Sequence, residues 1–411
     1  MKNLFAAFSA AAIMAGAALS DAARAQSESV EAGVQGDFER WLEGFRAEAA
    51  AAGISSDVID NAFDGVKINA RVYELNDNQP EFSRAIWDYL DSAVSQTRID
   101  NGRARFAENR ALLTLIEEAY GVDAEILVAI WGMESSYGAI LGNHDTIEAL
   151  ATLAFEGRRT GYGRSQLIGA LKILQNGYAD RADLKGSWAG AMGHTQFIPT
   201  TYLAYAVDHD SDGRRDIWRH LGDVFASTAN YLSASGYRRN EAWGVEVRLP
   251  AGFDYALADR SVRKPTVEWA AAGLAPARGG SLIGAYDPNL RARLILPAGA
   301  RGPAFLTFDN FDAILQYNRS TAYALAVALL SEEAAGRSGA VVTPWPRGDR
   351  PLSFTERKAL QQALIDRGFN PGPVDGVVGA GTRAALRAWQ QANGLPADGY
   401  ASAAVRNALN P

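Results

Sequence analysis

Apolar residues recur at helical spacing through most of the first 240 residues, and strand patterns there are few. Phe38, Trp41, Leu42 and Phe45 trace one face in a helix-rich stretch from 36 to 65. Further helical patterns cover roughly 83–119, 123–136, 146–156 and 164–178. Such a chain buries its apolar stripes helix against helix, so a mainly α domain is expected. Between Trp243 and about Leu296 the pattern changes. Val245-Glu-Val-Arg-Leu-Pro250 alternates, Arg291-Ala-Arg-Leu-Ile-Leu-Pro297 reads as a second short strand, and Gly279-Gly280 and Gly299–Gly302 punctuate the stretch. This predicts a small β-containing insertion, with helix resuming over Asp309–Ser331. Residues 336–351 hold Gly, Ser, Thr, Arg and three prolines without helical period, and read as a linker. Residues 352–411 form a second, compact unit rich in helix formers.

The chain opens with a lysine, a short apolar run of small residues and Ala23-Arg-Ala25. That order describes a secretory signal peptide over 1–25, too short to favour a stable membrane span. With no cysteine there is no lipid-attachment thiol and no disulfide framework. The mature protein is therefore expected in a Gram-negative periplasm, without stable membrane insertion, a retained N-terminal anchor being the alternative. A net charge of −7 argues against a nucleic-acid footprint, which needs a basic face. The 10% aromatic content permits stacking on sugar faces.

One carboxylate stands out. Glu134 lies in Ile126-Leu-Val-Ala-Ile-Trp-Gly-Met-Glu-Ser-Ser-Tyr-Gly138, which carries no other charge. At helical spacing it shares a face with Ile126 and Ile130. A carboxyl facing apolar surroundings holds its proton, as a general acid requires. The competing reading is a Glu at a helix end, bonded near Ser135 and Ser136 or exposed.

The C-terminal unit contains Leu360-Gln-Gln-Ala-Leu-Ile-Asp-Arg-Gly-Phe369, then Val374-Asp-Gly-Val-Val-Gly379, then Trp389-Gln-Gln-Ala-Asn-Gly-Leu395 and Asp398-Gly-Tyr400. These blocks resemble the three-helix peptidoglycan-binding module appended to many cell-wall enzymes. Leu364, Phe369, Leu386 and Trp389 read as the core of that bundle.

Three further blocks occur in order: Trp131-Gly-Met-Glu-Ser-Ser-Tyr-Gly138, Gly186-Ser-Trp-Ala-Gly-Ala-Met-Gly-His-Thr-Gln-Phe-Ile-Pro-Thr-Thr-Tyr202, and Gln316-Tyr-Asn-Arg-Ser-Thr-Ala-Tyr323. The set resembles the MltB-type lytic murein transglycosylases over roughly residues 30–335. The resemblance implies a lysozyme-like catalytic domain that cuts the MurNAc-β-1,4-GlcNAc bond without water and leaves 1,6-anhydroMurNAc ends. Glu134 would be the sole catalytic acid and then base. Ser187 and Gln196 would touch sugar or hold the acid's neighbourhood. Tyr317, Asn318 and Tyr323 would line the cleft, and Tyr231 and Tyr89 match two further cleft tyrosines. The implied partner is a peptidoglycan glycan strand, with cell-wall synthesis or remodelling proteins as further candidates.

No cofactor is needed for that chemistry. Asp208-His-Asp-Ser-Asp-Gly-Arg-Arg-Asp-Ile-Trp-Arg219 aligns with an EF-hand loop, however. Asp208, Asp210, Asp212, the Arg214 carbonyl and Asp216 take ligand positions for a structural Ca2+. Arg219 stands where a bidentate Glu is usual, which weakens the site or shifts that role to another carboxylate such as Asp223. An Asp-rich turn capping its own backbone is the alternative. Two other functional readings stay open: a muramidase that uses water and a second carboxylate (Asp145, Glu148 and Glu156 being local candidates, or plain helix-cap groups), and a non-catalytic wall-binding scaffold.

Overall fold

The computed structural model describes residues 34–77 and 84–409, so the expected signal peptide lies outside the described residues. The chain is mainly α-helical and divides into two compact units, one from residues 34–77 with 141–204, the other from 84–140 with 205–409.

In the first unit a helix over 34–51 is followed by Ser56–Phe63, capped by the Ser55 hydroxyl, and by Ala70–Asp77. Two longer helices, Thr146–Phe155 and Thr160–Gln175, complete its frame. The spacing of Phe38, Trp41 and Phe45 becomes an aromatic stack, Phe38–Trp41 at 5.7 Å and Trp41–Phe45 at 5.3 Å, with Phe155 edge-on to Phe38. Such rings supply much of a core's apolar burial.

In the second unit the helical pattern expected over 83–119 breaks into three helices, Ile86–Ala93, Gln96–Glu108 and Arg110–Tyr120. Ser95 caps the second of them, and Asn109 ends it. The helix Ala124–Ser135 is buried from Ile126 to Gly132, and Thr321–Ala334 is buried from Tyr323 to Ser331. A helix apolar all round belongs inside a bundle, and these two pack together.

The β insertion is a five-stranded antiparallel sheet in the order Lys264–Pro265, Arg291–Ile295, Ala304–Thr307, Gly244–Arg248, Ala275–Pro276. The two strands expected from sequence do not pair with each other. Both pair with Ala304–Thr307, which lies between them with all four residues buried. A central strand buried on both faces shows no alternation, so its period is silent in the sequence. Trp269, Leu294, Leu306 and Phe308 fill the core beneath the sheet.

The C-terminal helices Phe354–Asp366, Ala380–Ala392 and Ala403–Leu409 close on Leu360, Leu364, Leu386, Trp389 and Leu409. Phe369 packs at the edge of this core. Its two Asp-Gly turns are held alike by buried glutamines. Gln361 donates to Asp375 (3.1 Å) and accepts from Gly376 N (2.8 Å), and Gln390 donates to Asp398 (2.7 Å) and accepts from Gly399 N (2.8 Å). A buried amide with both ends satisfied fixes a turn that a hydrophobic residue there would leave unbonded.

Candidate active site

Glu134 sits in the last turn of Ala124–Ser135, where Ser136 (φ 50°) and Tyr137 (φ 60°) both adopt left-handed backbone. Two such residues in succession, neither of them glycine, are strained, and tertiary contacts must over-determine them. Ser135 Oγ donates to Trp131 O (3.2 Å) and accepts from Gly138 N (3.2 Å), while the Tyr137 hydroxyl donates to Arg98 O (2.8 Å). Gly132 leaves room for that ring: a Cβ there would lie 2.5 Å from Tyr137 Cζ. Gly132→Ala is therefore expected to cost about 1–3 kcal/mol and to lower the melting temperature by several degrees, checked by thermal unfolding followed by circular dichroism.

The serines do not hold the acid. Tyr323 donates its hydroxyl to Glu134 Oε1 at 2.5 Å. Tyr323 is only 4% exposed, and the Ser320 hydroxyl caps its helix by accepting Tyr323 N (3.3 Å). Burial pushes the Glu134 carboxyl up to about 7, and the Tyr323 hydrogen bond opposes that rise. The negative end of the helix dipole also disfavours an ionised group in this turn. Part of Glu134 still reaches solvent. A carboxyl protonated near neutrality yet accessible is what proton donation to a substrate needs.

Tyrosines surround this pair. Tyr317 is bonded to Thr228 and lies close enough for Glu134 to raise its hydroxyl pKa, beyond the rise due to burial. Tyr231 packs edge-on against Tyr317 (5.0 Å) and donates to Gln316 O (2.7 Å), and Tyr205 packs against Tyr231 (4.8 Å). Tyr89, on Ile86–Ala93, is raised by burial and then by Glu134, and bears in turn on Tyr323. Tyr323 thus bonds the acid, Tyr317 and Tyr89 lie near enough to feel its charge, and Tyr231 packs on Tyr317. Asn318 caps the end of Asp309–Tyr317, and its side chain is exposed. Thr228 and Tyr205 were missed in the sequence. Thr228 lies three residues before Tyr231 on the helix Leu221–Ala234, a spacing that puts both on one face.

Ser187 and Gln196 belong to a loop of the first unit, and their polar atoms hold that loop. Ser187 Oγ accepts from Ala189 N (3.3 Å) and Ala191 N (3.0 Å). Gln196 donates to Leu141 O (3.1 Å) and Gly193 O (2.9 Å). A Cβ on Gly186 would come within 2.0 Å of Ala191 O, so glycine is required where the loop crosses itself. Asp145 in the same unit caps Thr146–Phe155 and pairs with Arg181 (2.6 Å), while Glu148 accepts from Asn69 (2.6 Å).

In the acidic loop, one carboxylate oxygen each of Asp208, Asp210 and Asp212 lies within 4.8 Å of the others, a spacing that fits a hard divalent cation. Asp208 also accepts Asp212 N (3.1 Å) and Gly213 N (2.9 Å). Asp216 instead accepts Trp218 N (3.0 Å) and pairs with Arg219 (3.1 Å). Asp223, 1% exposed, clamps the loop by accepting His209 N (2.8 Å), Asp216 N (2.6 Å) and His220 Nδ1 (3.0 Å). Three of the carboxylates fit a cation, and Asp216 is already engaged by the arginine at the twelfth position.

Residues 37–332 match the family described as Transglycosylase SLT domain. The chain belongs to that family. Residues 355–409 match a putative peptidoglycan binding domain. The transglycosylase is 32% identical over 279 residues to membrane-bound lytic murein transglycosylase B of Escherichia coli (strain K12), covering 64% of this chain and 74% of that protein. Its fold is similar to SltB3 from Pseudomonas aeruginosa in complex with NAG-NAM-pentapeptide, with a TM-score of 0.88 and 51% identity over 91% of this chain and 99% of that one. The Escherichia coli lytic transglycosylase Slt35 in complex with calcium superposes with a TM-score of 0.59 at 29% identity, covering 73% and 93% of the two chains. The transglycosylase is thus a peptidoglycan-cleaving enzyme of the lytic, lyase type by family. No helix among the described residues is long and apolar enough to cross a membrane.

Proposed function

We propose that this transglycosylase cleaves the MurNAc-β-1,4-GlcNAc bond of peptidoglycan with Glu134 as its sole acid and base. The observation that carries the reading is the carboxyl itself: protonated near neutrality by burial, bonded by one tyrosine, and with no carboxylate of its own unit, among the described residues, acting on its proton. Hydrolases that retain or invert configuration need two carboxyl groups. In the first step Glu134 gives its proton to the glycosidic oxygen as the C1–O bond breaks, and the GlcNAc leaves as an alcohol. The carbonyl oxygen of the MurNAc N-acetyl group closes on C1 as an oxazolinium. Glu134, now ionised and steadied by Tyr323, takes the proton of the C6 hydroxyl as O6 attacks C1 and the C1–O bond of the oxazolinium breaks, which closes the 1,6-anhydro ring, returns the N-acetyl group and restores the acid. Support for this product comes from the similar SltB3, whose structure is known with NAG-anhNAM-pentapeptide. The test is mass spectrometry of muropeptides released from purified sacculi. Products ending in 1,6-anhydroMurNAc are expected, and reducing ends, heavier by one water, would overturn the mechanism.

The N-terminal leader pattern and the absence of cysteine support a secreted, periplasmic protein, with the C-terminal module raising its local concentration on the wall. The convergence of Asp208, Asp210 and Asp212 supports a structural Ca2+ there, with the Arg214 carbonyl as a further ligand. With Asp216 drawn to Arg219, affinity should be weak. Millimolar CaCl2 is expected to raise the melting temperature by roughly 2–4 °C over EDTA, and Asp210→Asn to remove the difference. An unchanged melting temperature in the wild-type protein would dismiss the ion.

A further inference from the structure

The segment between the two family matches is fastened along its length to the second unit. Arg278 reaches Ser338 O and Oγ (both 3.3 Å), and Glu246 accepts Val342 N and Thr343 N (both 2.7 Å). Trp345 packs on Trp87 (ring centroids 6.4 Å apart), beside Ala85 and Ala298. Arg347 makes two bonds to Asp91 (2.7 and 2.9 Å), and Arg301 pairs with the buried Asp349, whose other oxygen accepts Ala404 N (2.9 Å) of the last helix. A segment expected from its composition to be a plain linker is therefore a strap.

The strap's grip has a direction. Trp87 and Asp91 stand four residues apart on Ile86–Ala93 and share one face. Tyr89, two residues from each, is turned roughly 200° round the helix, toward the acid and away from the strap. We infer that Trp345 and Arg347 are positioning residues for the cleavage reaction, holding Ile86–Ala93 from behind so that Tyr89 stands against the Glu134–Tyr323 pair. The inference rests on the reading of Glu134 as the acid. It gives the wall-binding module a second role. Its seat and the seat of Tyr89 are joined by one continuous strap, so loosening either end lets Tyr89 move.

The test is a double-mutant cycle with the full chain. The rate of 1,6-anhydro end formation from soluble uncross-linked glycan strands is measured for wild type, Trp345→Ala, Tyr89→Ala and the double variant. Trp345→Ala is expected to lower kcat about tenfold with KM within about twofold, since displacement of a positioning group by an ångström costs rate. On the Tyr89→Ala background the same change should cost nothing further. Asp91→Asn, which breaks an exposed pair of little stability value, should lower kcat about threefold without loss of fold. Arg347→Lys should recover most of what Arg347→Ala loses. Additive losses, or strap variants with wild-type kcat, would overturn the positioning role. Failure of the parent reading is distinguishable: wild type would then release reducing ends, or Glu134→Gln would remain active.

Discussion

Glu134→Gln is expected to lower the rate of glycan cleavage by about 10⁴-fold or more while leaving the protein bound to sacculi, because one group serves as both acid and base. The amide keeps an oxygen for the Tyr323 hydroxyl but has no proton to give and cannot take one. The variant should also be the more stable protein at alkaline pH. In the folded state the carboxyl titrates at about 7, against about 4.5 when exposed in the unfolded chain. The folded protein therefore binds more protons between those values, and its stability falls as pH rises through that window. Glutamine has no such dependence. Between pH 5 and pH 8, Glu134→Gln should gain on the order of 2–3 kcal/mol relative to wild type, read as a difference in melting temperature that opens as pH rises. Cleavage by wild type should follow the same titration, with kcat/KM declining above about pH 7 as the acid form is lost. A variant that still releases anhydro products would show that another group carries the proton.

Tyr323→Phe is the second large effect. Its hydroxyl donates to the carboxyl group that must bear charge midway through the reaction. Without it the ionised form loses its hydrogen bond, so the Glu134 pKa should rise further and the alkaline decline in kcat/KM should move to higher pH. The rate at the optimum should fall by roughly 10–100-fold, because the carboxylate is no longer held while it waits for the C6 hydroxyl. The ring remains, so packing against the acid helix is kept and the fold should survive. The check is a pH profile of kcat and kcat/KM. A lower rate with an unmoved alkaline limb would mean that Tyr323 contributes through shape alone.

Much of this was legible in the residues. Glu134 announced itself as the one charge beyond Glu125 at the mouth of an apolar helix, since a largely buried helix offers few solvated positions for it. The paired glutamines and Asp-Gly turns of the C-terminal module are local devices, closed within about fifteen residues, and such devices leave fixed spacings. The strand Ala304–Thr307 was not legible, because a strand buried on both faces has no period of two. Ser187 and Gln196 are expected from the resemblance to touch sugar or hold the acid's neighbourhood; that their polar atoms also bond the loop backbone depends on how the loop closes on Gly186, which no local pattern displays.

The sequence by itself determined most of the helices, the order of the blocks and the candidate acid, because helix period, turn residues and a carboxyl set in an apolar run are written in short stretches of chain. Only the tertiary structure decided what surrounds that acid. Tyr89, Tyr231, Tyr317 and Tyr323 come from separate helices, and nothing local says that the Tyr323 hydroxyl will meet the carboxyl while Tyr231 packs on Tyr317 beside it. It also decided that residues 336–351 form a strap, since Trp345 and Arg347 acquire meaning only when Trp87 and Asp91, some 250 residues earlier, are folded beneath them. Long-range packing carries that information, and a composition without period cannot display it.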